Sequence, residues 1–151
     1  MKDVWAHLLA SIPSLWEILS TFTRLVVAAG IGALIGRDRE RHQKPAGLRT
    51  HMLVAIGAAL FVLPFDRDES YEAMARAVQG IAAGIGFIGA GCILKEGGRV
   101  RGLTTAGSVW ITAAMGAGAG VGRIWIVLLA AVLAWFVLSQ VERFERELKH
   151  D

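Results

Sequence analysis

The chain has 151 residues, 54% of them hydrophobic and only 19% charged, with a mean hydropathy of +0.51. A soluble domain of this length carries more charge, and a formal net charge of +3 is too small to imply a nucleic-acid partner. The single cysteine, Cys92, lies in an apolar run and excludes an internal disulfide.

Residues 1–14 read as an outer N-terminal segment. The apolar stretch at 4–10, interrupted by His7 and followed by Pro13, is too short for a signal-peptide core. A first membrane span is expected over 15–36. Arg24 lies inside it, only 12 residues before its inner end, about 18 Å at helical rise and therefore in the outer half of the membrane. Arg24 either snorkels outward toward Glu17 or headgroups, or forms a buried polar centre. The following loop holds Arg37, Asp38, Arg39, Glu40, Arg41 and Lys44, and Pro45 and Gly47 turn the chain toward a second span over 51–65. Topology explains the basic residues there but not Asp38 and Glu40. Their alternation with arginines suggests an ion-pair network at the cytoplasmic surface.

A third span is expected over 77–94, with Gln79 as its polar intramembrane residue, then a loop holding Lys95, Arg99 and Arg101. The fourth and fifth spans, 103–121 and 124–141, come from uncharged runs of 20 and 18 residues separated only by Arg123. A bilayer crossing needs roughly 20 mostly apolar residues as helix, and the runs lack the alternation of barrel strands. The fold class is all-α: a polytopic membrane protein with five transmembrane helices over 15–141, followed by a tail over 142–151. Eleven of the 16 Lys and Arg residues fall on one side of this arrangement. The positive-inside rule then puts the N-terminus outside and the C-terminus in the cytoplasm. Trp16 and Trp125 fall at the outer interface, where indoles prefer to sit.

The segment AAGIG at 28–32 recurs at 82–86, and GLRTHMLVAIGAA (47–59) matches GLTTAGSVWITAA (102–114) at seven of 13 positions. This reads as a parallel duplication of spans one and two as spans three and four, pairing Gly47 with Gly102 and Thr50 with Thr105. Gly32 with Gly36 and Gly80 with Gly84 are small-xxx-small pairs, and Gly86, Gly89 and Gly91 continue the glycine run. Such residues allow close helix packing inside the bundle or, less often, at a homo-oligomer face. GIGFIG at 84–89 has the GxGxxG spacing but lacks the preceding strand and the later acidic residue of a dinucleotide site. Thr104, Ser108 and Thr112 form a hydroxyl stripe that either bonds its own backbone or lines a polar conduit.

The string GxxIGRDRERHQKPAGLRTHMLVAIGAA, followed by GIGFIGAGCILKEGGRVRGLTTAGSVWITAAMG, closely resembles the membrane domain of the MgtC/SapB family, over residues 24–143. The resemblance implies a five-helix protein of the bacterial inner membrane. It places the family's acidic motif on Asp38 and Glu40, and the lysine-proline turn on Lys44, Pro45, Gly47, Arg49 and Thr50. The glycine helix falls on 84–91 and the second loop on Arg101, Gly102, Thr104 and Thr105. Many members append a soluble ACT-like domain; with ten residues after Val141, this sequence reads as a short form. Relatives are implicated in virulence, growth in low Mg²⁺, restraint of the F-type ATP synthase, and Mg²⁺ or phosphate homeostasis.

The expected function is a non-enzymatic modulator of membrane partners, with the lipid bilayer and a complex such as the F-type ATP synthase as partners and with no cofactor or metal. No catalytic cluster, metal-ligand spacing or phosphate loop is present in the sequence. The alternative is a small-ion transporter or channel. The repeat, the hydroxyl stripe and Arg24 favour it; the lack of a carboxylate in the cores of spans two to five opposes it.

Overall fold

The computed structural model describes residues 13–65, 71–96 and 98–141. The expected outer segment and C-terminal tail lie outside these, apart from Pro13 and Ser14. Helix α1, Leu15–Arg41, starts from a capping box: the Ser14 hydroxyl accepts from the Glu17 N–H at 3.3 Å, and the Glu17 carboxylate accepts from the Ser14 N–H at 2.8 Å. It continues past the expected boundary at 36, so Asp38, Arg39 and Glu40 are helical rather than part of a loop. The composition of 37–41 suggested a loop because it is charged. Nothing in it breaks a helix, and the stop comes at Gln43, which takes φ 53 ahead of Pro45.

Helix α2, Leu48–Val62, starts three residues before the expected boundary, and a 3-10 turn, Leu63–Phe65, completes the span. Helix α3, Tyr71–Gly91, begins earlier and ends earlier than the expected 77–94. Its last expected residue, Leu94, belongs instead to an antiparallel hairpin, β1 (Leu94–Glu96) and β2 (Arg99–Arg101), in which Leu94 pairs with Arg101. Ile93 and Leu94 look like membrane residues by hydropathy, yet the Gly97-Gly98 dipeptide is a strong two-residue hairpin signal, and Gly98 takes φ 81. Helix α4, Leu103–Gly120, follows at once from Gly102, whose φ of 89 and close approach to the Cys92 carbonyl leave no room for a side chain. Helix α5, Ile124–Phe136, ends in a wide helical turn, Val137–Val141.

Helix α4 is the centre of the bundle and touches α1, α2, α3 and α5. Gly116 and Gly120 lay its backbone against Ala55 and Ala59 of α2, and Gly118 admits Val127 of α5. Gly32 and Gly36 bring α1 onto the backbone of α2 at His51, Met52 and Leu48. Without a hydrophobic drive between helices in lipid, such backbone approach supplies the dispersion contact that holds the bundle. The result is an apolar core of small and β-branched residues, among them Ala28, Ile35, Ala55, Ala59 and Ala119, all fully buried.

Large apolar side chains point outward instead. Phe87 is 84% exposed and Trp125 81% exposed, which suits a protein solvated by lipid. Helices α1, α2 with its 3-10 turn, and α3 are each long and apolar enough to cross a membrane; Ile124–Gln140 is a shorter apolar helix. The molecule is an all-α polytopic membrane protein.

The positions paired by the expected duplication occupy matching places in their helices. Gly47 and Gly102 are both N-caps, of α2 and α4, and Thr50 and Thr105 are both the third residue of their helices. The caps differ in backbone, extended at Gly47 and left-handed at Gly102. The expected role of glycine packing needs a correction. Gly32, Gly36 and Gly89 do pack on neighbouring helices, but a side chain at Gly80, Gly84, Gly86 or Gly91 would meet nothing within 4 Å. All four are exposed.

Candidate functional site, a buried polar centre at the basic end of the bundle

The ends of α1 and α3 and the starts of α2 and α4 meet at one end of the bundle, where the His51–Ser108 contact joins the last two. Because α1 is helical through Arg41, Arg39 falls one turn below the fully buried Ile35 and enters the core at 1% exposure, the largest fully buried side chain among the described residues. Gly36 opens the gap that admits His51, whose Cβ would stand 3.1 Å from a side chain placed at 36. His51 is wholly buried.

The hydrogen bonds around His51 form a chain. Its Nδ1 lies 2.9 Å from the Gly47 carbonyl and its Nε2 lies 3.2 Å from Ser108 Oγ, which itself donates to the Thr105 carbonyl at 2.8 Å. With a proton on Nδ1, a neutral imidazole offers Nε2 as an acceptor, so the single Ser108 proton is shared between Nε2 and Thr105. Thr112, also buried, donates to the Ser108 carbonyl at 2.7 Å. The hydroxyl stripe is therefore engaged with its own backbone. Thr104, expected in that stripe, is exposed, and Thr105 takes its place in the interior.

Glu40 supplies the next layer. Its carboxylate accepts from the Leu48 N–H at 3.0 Å, so an acidic group sits at the N-terminus of α2, where orphan donors and the helix dipole favour it. Among the described residues neither Arg49 nor Arg101, both exposed, is ion-paired with Asp38 or Glu40. The backbone N–H groups at the turn outcompete long, solvated guanidinium groups for the carboxylate. Asp38 is nearly buried, its Oδ1 3.8 Å from His42 Nδ1, while its Oδ2 accepts no hydrogen bond among the described residues. The His42 ring also lies 2.8 Å from the Asp38 carbonyl. Lys44 joins the turn through its backbone N–H, which donates to the Arg39 carbonyl at 3.0 Å; Pro45 is exposed and Thr50 half-buried.

Two expected polar residues lie elsewhere. Arg24 belongs to the opposite end of the bundle, where its Nη1 donates to the Gly120 carbonyl at 2.9 Å and caps the C-terminus of α4. Gln79 is exposed on α3. His51 is the residue that the sequence reading left out of the site. Its signal was a histidine in the first turn of an apolar helix, at a place where the other half of the duplication has Ala106.

Among the described residues no group of three or more His, Cys, Asp or Glu is arranged to hold a metal ion. The fold and site define a small polytopic membrane protein with an internally hydrogen-bonded polar centre beneath a basic surface. The MgtC family model matches residues 25–147, and the chain belongs to that family. It is 45% identical to protein SrpB of Synechococcus elongatus, over 82% of this chain and 75% of SrpB. It is 44% identical to protein MgtC of Salmonella typhimurium and 42% identical to protein MgtC of Brucella abortus, over 72% and 82% of this chain. The chain spans about half the length of these MgtC proteins, 47% and 51%. No solved structure matches it.

Proposed function

We propose that this protein is a non-enzymatic modulator of a membrane complex in the bacterial inner membrane, with the F-type ATP synthase as the partner that the family resemblance implies. Its N-terminus faces outward, and the polar centre lies at the cytoplasmic face. The observation that carries this reading is the family match over residues 25–147, within which Asp38 and Glu40 fall on the motif of the resemblance. The geometry supports modulation over conduction, since the hydroxyls of Ser108 and Thr112 are committed to backbone carbonyls and are both buried. A role in Mg²⁺ or phosphate homeostasis then follows indirectly, through the partner.

The test is ATP-driven proton pumping in inverted membrane vesicles, together with growth in low Mg²⁺, at matched protein abundance. Wild-type protein should lower pumping and support growth. Asp38→Ala should lose both effects, because a nearly buried carboxylate is removed from the helix end. Glu72→Ala, a change at an exposed ion pair on α3, should keep them. Unchanged pumping with wild-type protein, together with Mg²⁺, phosphate or proton flux in reconstituted liposomes, would replace this reading with the transporter one.

A further inference from the structure

An apolar groove of about 600 Å³ runs between α2 and α3, which pack closely on α4 and only loosely on each other. Leu53, Gly57 and Phe61 form one wall and Gly80, Gly84 and Ile88 the other. Side chains at all three of these glycines would meet nothing within 4 Å, so the groove is open where neighbouring helices would otherwise close it. Both walls belong to helices long and apolar enough to span a membrane. The groove therefore faces the hydrocarbon. Its lining gives water no partners, and leaving it empty would forfeit dispersion contact along both walls.

The mouth of the groove at the basic end is charged. Arg49 lies one helical turn before Leu53 on the same side of α2, and it is exposed. Helix α3 ends just beyond Ile88 and leads into the hairpin, where Lys95 and Arg99 are also exposed. Among the described residues none of these three cations is ion-paired, in contrast to Arg76, which faces Glu72 at 3.5 Å on the same helix. An apolar slot at membrane depth that opens onto unpaired cations matches one chemistry: acyl chains attached to a phosphate. Basic pockets between transmembrane helices are known to hold anionic headgroups. A partner's helix would fill the slot but would leave the cations unanswered.

We propose that this groove binds an anionic phospholipid, with an acyl chain between α2 and α3 and its phosphate at Arg49 and the hairpin cations. The site is independent of the polar centre, and it does not depend on which complex the protein modulates.

Native mass spectrometry of the full chain tests this, after reconstitution with equal amounts of dioleoyl phosphatidylglycerol and dioleoyl phosphatidylcholine. These lipids differ only in headgroup. Wild-type protein should retain phosphatidylglycerol preferentially. Arg49→Gln with Lys95→Gln should still retain lipid but lose the preference, by about fivefold for each charge removed. Gly80→Leu with Gly84→Leu should fill the slot and lose both lipids; thermal unfolding in detergent will confirm that this variant is folded, as the open space at both positions implies. Equal retention of the two lipids by the wild type would overturn the proposal. So would undiminished retention by the filled variant, which would leave the groove to a partner's helix. A dimer lost on filling the slot, with lipid retention unchanged, would assign the groove to a second copy of the chain and overturn the proposal equally.

Discussion

His51 of α2 and Ser108 of α4 stand 3.2 Å apart across the centre of the bundle, and each is anchored to the backbone at its far side, His51 to Gly47 and Ser108 to Thr105. In the sequence alignment that pairs the two helices the contact is not symmetric: the positions aligned with His51 and Ser108 are Ala106 and Leu53. A polar lock has thus been added to a contact that the glycines Gly116 and Gly120 already make close.

Ser108→Ala should destabilise the protein by about 1–2 kcal/mol, because the buried His51 ring loses a partner that water cannot replace. Thermal unfolding in detergent reads this directly. A double-mutant cycle with His51→Leu should give a coupling of about 0.5 kcal/mol or more. Additive losses would show that the two side chains do not interact.

Arg24 caps α4 from α1, so Arg24→Leu should cost about 1–2 kcal/mol, while Arg24→Lys should recover part of the loss. The measurement is again the unfolding midpoint. Equal stability of the leucine variant and wild type would mean that lipid headgroups or water satisfy the Gly120 carbonyl equally well.

The glycines separate into two classes with opposite expected outcomes. Gly32→Val drives a side chain into the backbone of α2 at His51 and Met52 and should cost about 1–3 kcal/mol or more. Gly86→Ala, in open space within a helix, should be neutral or stabilising by up to about 1 kcal/mol. Folded yield and unfolding midpoints distinguish them. Destabilisation at Gly86 comparable to that at Gly32 would contradict the packing described.

Orientation is tested by topology reporters. A reporter inserted at Gly98 in the hairpin should read as cytoplasmic and one placed before Tyr71 as external, because the basic residues cluster at the hairpin end of the bundle. Both reporters on the same side would rule out the five-span arrangement.

Hydropathy and length alone determine that the chain forms apolar helices, since lipid leaves the backbone no other way to satisfy its hydrogen bonds. Loop charge gives the expected orientation, and the long motifs around Asp38 and Gly102 identify the family. These are local properties, summed along the chain. What a particular polar or small residue does depends on which other helix comes beside it. Arg39 reads as one more loop arginine until α1 continues through it and places it beneath Ile35. Glu40 reads as a partner for arginines until the turn brings the Leu48 N–H to it. Gly32 with Gly36 and Gly80 with Gly84 have the same spacing, yet one pair closes on a backbone and the other stays open, because α1 packs along α2 and α3 does not. The burial of His51, its contact with Ser108 and the cap that Arg24 places on Gly120 join residues 57 and 96 positions apart, so only the tertiary structure could decide them.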